Sequence, residues 1–315
     1  QVLLSVSVGI AVCPSTGASV DQLLMNADTA LYRAKEGGRN TFRLYEPAMD
    51  IRIAERRLLE QDLRTALAGE QLTVWYQPIF DSTTSEISGF EALVRWTDSK
   101  RGYISPEEFI SVAEESGLIV RLGEWVMQTA CTEAMRWPEW LRLSVNLSPK
   151  QFLEPDLSGQ IASILASTGL AAERLTVEVT EGVLIDNSDR ALSVISSLKQ
   201  QGIRVALDDF GTGYSSLRYL RRFPFDIIKI DRSFIRSLSD DKGSQAIVQA
   251  ILTLGRSFKL KVIAEGVETQ PQLEWLRSAG CSEVQGFLLG RPMPCQSVRA
   301  FLQPAAIPKE RAHQA

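Results

Sequence analysis

The stretch ALDDFGTGYSSL, residues 206–217, sets Asp208 and Asp209 side by side at the end of an apolar run and follows them with Gly211 and Gly213. Such a pair is either a turn-former or two charges held together by a cation. The same setting recurs along the chain: Glu91 in FEALVRW, Glu178 and Glu181 in EVTE, and Glu265 and Glu268 in AEGVE. Gln77, Arg95, Asn146, Lys229, Asp231 and Gln285 add further polar groups to apolar runs. Singly, an isolated Glu reads as a rim salt bridge, and Asn146 in NLSP as a turn or cap residue. Jointly that reading fails, because carboxylates converging on one place repel one another unless cations neutralise them. Oxygen-only donors suit hard ions, so Mg²⁺ or Mn²⁺ is expected. An adjacent pair such as Asp208 and Asp209 could reach two ions roughly 3.5–4 Å apart, which activate a water and hold the oxygens of a phosphodiester. Lys229 would add a point charge near the nucleophile or the phosphate. For the two aspartates to face one way, the strand is expected to end at them, with Gly211 and Gly213 allowing a sharp turn.

Composition narrows the chemistry further. His313 is the only histidine, and it lies in a polar tail. Triads built on histidine, His-rich metal sites and imidazole acid–base chemistry are therefore excluded. The four cysteines, Cys13, Cys131, Cys281 and Cys295, are far apart and form neither a CxxC zinc motif nor a disulfide framework. A net charge of −4 gives no broad basic field for a nucleic-acid polymer, although a small anion can bind through local cations. No apolar run approaches the roughly 18 residues of a membrane span, and no secretory leader is visible. The expected location is cytoplasmic. The chain opens on Gln1 inside an apparent strand, which suggests the back part of a longer protein whose upstream portion has room for a membrane anchor.

The elements that must position these residues follow from periodicity. Residues 2–12 alternate as a strand, residues 20–36 carry a helical spacing stopped by Gly37 and Gly38, and NTFRLYE reads as a second strand. Residues 1–45 are too few for a stable domain of their own. A charged helical connector spans 46–70, a barrel is expected over 71–305, and a polar tail over 306–315. In the barrel, LTVWYQPIF, ISGFEALVRW, LRLSVNLS, LTVEVTE, RVALDDF, DIIKID, KVIAEGV and SEVQGFLLG alternate with helical patterns. Eight strands in about 235 residues is the rhythm of a (β/α)₈ TIM-type barrel. One link breaks the rule: DSTTSE is shorter than the dozen or so residues a parallel crossover needs, so the first strand is expected to be antiparallel. The polar residues above fall near the C-terminal strand ends, where such barrels carry their active sites.

Two local motifs are discounted. DFG does not mark a protein kinase here, because the histidine of a catalytic loop and a Gly-rich phosphate loop are both missing. GTGYSS fails the dinucleotide fingerprint at its last position and follows the fifth barrel strand. GEWVMQTACTEAMRW reads as barrel-helix packing.

These motifs, with YQPI at 76–79, NLSP at 146–149, DDFGTGYSS at 208–216, KID at 229–231, AEGVET at 264–269 and QGFLLGRPMP at 285–294, closely resemble the EAL domain over roughly residues 55–305. EAL domains are metal-dependent phosphodiesterases that hydrolyse the bacterial second messenger cyclic di-GMP to linear pGpG. The resemblance implies that Glu91, Asn146, Glu178 and Asp208 ligate one ion, and that Asp208, Asp209 and Glu265 serve the second. It implies that Lys229 stands near the attacking water with Glu268 in support. Glu181 would steady the loop from Phe210 to Ser216, which the family links to homodimer contacts. Gln77, Arg95, Asp231 and Gln285 would contact substrate, Arg95 as the bidentate phosphate partner. Ca²⁺ is expected to inhibit, being larger and less demanding in geometry. SVGIAV and ADTALYRAKEGGRN resemble the C-terminal end of a GGDEF (diguanylate cyclase-like) domain, without its signature loop.

Two other functions stand beside the phosphodiesterase. A non-catalytic cyclic di-GMP receptor keeps the nucleotide and loses ligands, and none is missing here. A metal-dependent barrel acting on a carbonyl substrate rests on fold analogy alone.

Overall fold

The computed structural model describes residues 5–302 apart from 14, 17, 18, 39, 70, 187, 212–216, 239 and 240. The expected tail at 306–315 lies outside the described residues, as does most of the loop following Gly211. The chain divides into two compact units, Gln1–Thr65 and Ala66–Ala315.

In the first unit, strands β1 (Val8–Ile10) and β2 (Phe42–Leu44) pair in parallel around helix α1 (Val20–Glu36). Ser19 caps α1 by accepting from the Gln22 N–H, the usual role of a serine at that position. Helix α2 (Pro47–Ala66) follows β2.

The second unit is built on strands β3 (Leu72–Asp81), β4 (Ile87–Asp98), β5 (Gly102–Ile104), β6 (Arg142–Asn146), β7 (Leu175–Thr180), β8 (Arg204–Phe210), β9 (Ile227–Ile230), β10 (Lys261–Ala264), β11 (Glu283–Val284) and β12 (Met293–Pro294). Among the described residues eight of them close a barrel in the order β3-β4-β6-β7-β8-β9-β10-β11, with β11 returning to β3. β3 is antiparallel to both neighbours, while the pairs from β4 to β11 within the barrel run parallel. The expected barrel with an antiparallel first strand is borne out, and the short DSTTSE link is what forces it. The last expected strand is shorter than SEVQGFLLG. After Val284 the backbone turns, with Leu289 and Gly290 both donating to the Gly286 carbonyl. β5 and β12 are short additions at the outer sides of β4 and β3.

Helices α3 (Pro106–Ser116), α4 (Ile119–Ala134), α5 (Leu157–Thr168), α6 (Glu181–Asp186), α7 (Ser188–Gln200), α8 (Leu217–Arg222), α9 (Arg232–Arg236), α10 (Lys242–Phe258), α11 (Gln270–Ala279) and α12 (Cys295–Leu302) occupy the connections and the end of the described chain. α4 buries Val126, Met127, Ala130 and Cys131, so its sulfur-containing residues are packing groups. Inside the barrel, Ile79, Ala206, Ile227 and Ile263 form an apolar cluster. Each lies two residues from a polar position on, or for Glu265 just past, its own strand: Gln77, Asp208, Lys229 and Glu265. The strand period of two therefore gives the polar layer a dry hydrocarbon floor.

Candidate active site

The register of the barrel strands aligns the polar layer. Gln77 pairs with Glu91, Asn146 with Glu178 and Thr180 with Asp208. Glu265 and Gln285 follow the last residues of β10 and β11, and Gln285 N–H donates to the Ala264 carbonyl at 2.9 Å. Gly286 permits the close approach of Val267, whose N–H donates to the Gln285 carbonyl at 3.0 Å: a Cβ at 286 would lie 2.1 Å from the Val267 carbonyl oxygen.

At the centre stands Lys229, 1 % exposed. Its Nζ lies 2.5 Å from Glu178 Oε2, 2.6 Å from Glu265 Oε1, 3.3 Å from Asp208 Oδ2 and 3.8 Å from Glu91 Oε2. Burial alone would lower the lysine pKa, but Asp208, Glu178, Glu265 and Glu91 together raise it well above the usual range. The ammonium is therefore held charged. One cation against four carboxylates leaves an excess of negative charge in a buried place. Burial pushes Glu178 well above the ordinary carboxylate range; Lys229 opposes this and the neighbouring carboxylates reinforce it. The same causes push Glu265 up to about 8. The cluster asks for more positive charge than the chain supplies, in protons or in metal ions.

Glu91 is gripped from both sides. Asn146 Nδ2 donates to Oε1 and Gln285 Nε2 to Oε2, each at 2.7 Å. This amide clamp is not legible in the sequence, where the two amides stand about 140 positions apart and point separately to metal and to substrate. Glu178 Oε1 and Gln285 Oε1 are buried acceptors without a hydrogen-bond donor among the described residues. An acceptor-only donor set with an orphaned carboxylate oxygen fits a hard cation. Among the described residues, no three Asp, Glu, His or Cys side chains converge as ligands on one point, because Lys229 Nζ occupies the centre of the protein-only cluster.

Asp208 and Asp209 differ from the expected strand end. β8 runs on to Phe210, and the pairing with β9 slips between Leu207 and Phe210. Asp209 has φ 54°, in the left-handed region that Asp tolerates better than most residues, and Gly211 has φ 103°. A kink inside the strand thus replaces its end. The Asp209 N–H donates to Asp208 Oδ1 at 2.9 Å. Burial, then Asp208 and Asp231, raise the Asp209 pKa.

Glu181, the first residue of α6, accepts from the Gly211 N–H at 3.2 Å. Residues 212–216 of the loop expected to depend on it lie outside the described residues. Gln77 Nε2 donates to the Gly290 carbonyl at 3.2 Å. Asp231 caps α9 by accepting from the Ser233 N–H, a role that sequence reasoning missed. Arg95 is half-buried, donates to the Val94 carbonyl and lies over the Trp75 ring, 5.9 Å from its centroid. Glu268 is not brought to Lys229 by any hydrogen bond or ion pair among the described residues; the supporting acid in contact is Glu265. The Glu268 side chain is exposed, while its N–H and that of Thr269 donate to Gln272 Oε1. The T-x-x-Q spacing before α11 carries the capping-box signal for this contact.

Known proteins share this fold. The EAL domain profile matches residues 60–292, and that of the diguanylate cyclase GGDEF domain residues 1–41. The cyclic di-GMP phosphodiesterase PdeR of Escherichia coli (strain K12) is 43 % identical over 93 % of this chain and 45 % of its own. The bifunctional diguanylate cyclase/cyclic di-GMP phosphodiesterase MucR of Pseudomonas aeruginosa is 42 % identical over 95 % of this chain and 44 % of its own. The chain thus spans less than half the length of these relatives. A solved structure of the PaMucR phosphodiesterase in complex with c-di-GMP superposes with a TM-score of 0.74 at 43 % identity, covering 76 % of this chain and 99 % of that one. With the profile matched from within α2 through β11, and the polar layer lying on those strands, the chain belongs to the EAL domain family.

Proposed function

We propose that the barrel mouth hydrolyses cyclic di-GMP to linear pGpG in a reaction dependent on two Mg²⁺ or Mn²⁺ ions. The observation that carries this reading is the buried Lys229 among Glu91, Glu178, Asp208 and Glu265, in a chain of the EAL family. EAL phosphodiesterases are metal-dependent in general. Glu91, Asn146, Glu178 and Asp208 would hold one ion, and Asp208, Asp209 and Glu265 the other. A bound pair of divalent ions lowers the pKa of water and neutralises charge developing on a phosphodiester. The protein's own groups do the rest. Asn146 and Gln285 fix the orientation of Glu91, and the apolar floor excludes water from below. Lys229, held protonated, presents positive charge to the phosphate and the attacking oxygen. Arg95 would leave the Val94 carbonyl to pair with a phosphate, and Gln77, Asp231 and Gln285 would position the nucleotide. Glu268 would reach the water only by moving from its exposed position.

The test is to incubate the purified chain with cyclic di-GMP, with Mg²⁺, Mn²⁺ or EDTA, and separate the nucleotides. Metal-dependent pGpG, abolished in Glu91→Ala and suppressed by Ca²⁺, is expected. Tight nucleotide binding with no pGpG under any metal would instead assign a receptor. The reading extends to a cytoplasmic homodimer with residues 1–45 as the end of a GGDEF domain; among the described residues no helix is long and apolar enough to cross a membrane.

A further inference from the structure

Gln272 lies in the first turn of α11 and is 5 % exposed. Its Oε1 accepts from the Glu268 and Thr269 N–H groups at 2.8 and 3.0 Å, which is all that a capping box asks of it. The other end of the amide has a second use: Nε2 donates to the Ile235 carbonyl of α9 at 3.1 Å. Among the described residues this is the one hydrogen bond between α9 and α11. A single side chain therefore joins the backbone of the loop after β10 to the helix after β9. Those connections follow the strand ends that bring Lys229 and Glu265 together at 2.6 Å. They are pressed together along their length. The Glu265 N–H donates to the Ile230 carbonyl at 3.2 Å, one rung beyond the pairing of Ala264 with Ile230. Gly266, with φ 70°, comes so near α9 that a Cβ there would lie 2.6 Å from Arg232 Cβ. Farther along the loop, the Val267 N–H turns to the Gln285 carbonyl, and the tie back to α9 is the one Gln272 makes.

We propose that Gln272 is a positioning residue for the barrel mouth: by holding the loop from Glu265 to Glu268 against α9, it sets where the Glu265 carboxylate meets Lys229 and the second ion. The inference rests on the two-ion reading above. A helix cap alone needs only the acceptor oxygen of Gln272, whereas positioning also needs the donor to Ile235, so the two roles separate chemically. A residue that acts in this way touches neither substrate nor metal, and its effect is read in the affinity of the ligand it aims.

The experiment is calorimetric titration of the full chain with Mn²⁺ in the absence of nucleotide, beside melting curves and the Mn²⁺ dependence of cyclic di-GMP hydrolysis. Gln272→Met removes both functions of the amide, and Gln272→Glu keeps the acceptor for the cap while losing the donor to Ile235. Both variants are expected to weaken one of the two binding steps about tenfold or more, and to raise the Mn²⁺ concentration for half-activity by a similar factor. Gln272→Glu should melt closer to the parent than Gln272→Met, since an acid in the first turn suits a helix N-terminus. Arg277→Ala is the control: it takes from the far end of α11 the hydrogen bonds to the Ser82 carbonyl and Ser85 Oγ. It should lower the melting temperature and leave both binding steps unchanged. Where Gln272→Met does not fold, Gln272→Glu carries the test. Parent-like Mn²⁺ binding in Gln272→Glu, or an equal shift in Arg277→Ala, would reduce Gln272 to a helix cap and overturn the proposal, as would a parent that binds fewer than two ions. A parent that binds two ions and forms no pGpG would overturn the phosphodiesterase reading alone, and the titration would still decide the role of Gln272.

Discussion

Glu181 Oε1 accepts a hydrogen bond from the Gly211 N–H at 3.2 Å, joining the first turn after β7 to the residue that follows β8. Glu181 is buried, and its bond to Gly211 ties it to the backbone just after Asp209, a route by which it acts on the site. Residues that hold ligands in place without binding the metal commonly change affinity or activity by about 10–100-fold. Glu181→Ala is expected to lower kcat/KM for cyclic di-GMP within that range and to raise the metal concentration needed for half-activity. Glu181→Gln keeps an acceptor oxygen and should recover much of the loss. Full activity in the alanine variant would mean that Gly211 needs no partner.

Whether a feature is legible in the sequence depends on whether it is set along a strand or across the barrel. The strands, the antiparallel first pair and the charged strand ends follow from period, spacing and a six-residue link. The clamp on Glu91 does not, because Gln285 meets it only once β11 closes on β3. Asp231 reads in the sequence as a substrate contact, and its first use in the structure is local: it caps α9. Asp209 reads as the end of a strand, since a left-handed residue inside β8 leaves no period to detect.

Lys229→Met retains the length of the side chain and removes its charge. Four carboxylates would then face one another with no internal cation, and breaking buried charge pairs in this way costs about 3–5 kcal/mol. Urea unfolding in EDTA should show that loss, and saturating Mg²⁺ should restore part of it, because the added cation replaces charge at the same place. Activity should fall by about 10²-fold or more even with metal present. A variant as stable as the parent in EDTA would show that Lys229 is not what balances the cluster.

The raised carboxylate pKa values give the metal-free protein a definite pH response. Glu265 titrates near 8 when folded and near 4.5 when unfolded, and Glu178 is shifted in the same direction. Between those values the folded state holds protons that the unfolded state has released, so stability must fall as pH rises. In EDTA, the melting temperature is expected to drop by on the order of 5–10 °C from about pH 5 to about pH 8. Divalent ions compete with those protons, so stabilisation by Mg²⁺ or Mn²⁺ should be larger at about pH 8 than at about pH 6. A melting temperature that rises across this window in EDTA would contradict the charge excess.

Asp209 allows its backbone and its carboxylate to be separated. Its φ of 54° and the slip in pairing between Leu207 and Phe210 put it at a kink that Asn and Gly can also adopt. Asp209→Asn should retain the fold with little loss of stability, whereas Asp209→Ala leaves a Cβ in the left-handed region without a polar side chain to compensate, at about 1 kcal/mol or more. Stability should therefore separate Ala from Asn. Activity should not, since both variants lose the negative charge proposed to serve the second ion, and both are expected to fall by on the order of 10²-fold while the first ion still binds. Calorimetric metal titration reads the same distinction directly, with one binding step lost in each variant. If Asp209→Asn turned over normally and bound two ions, the residue would be a hinge that aims Phe210 and Gly211 toward Glu181, and the second ion would have to rely on Asp208 and Glu265 alone.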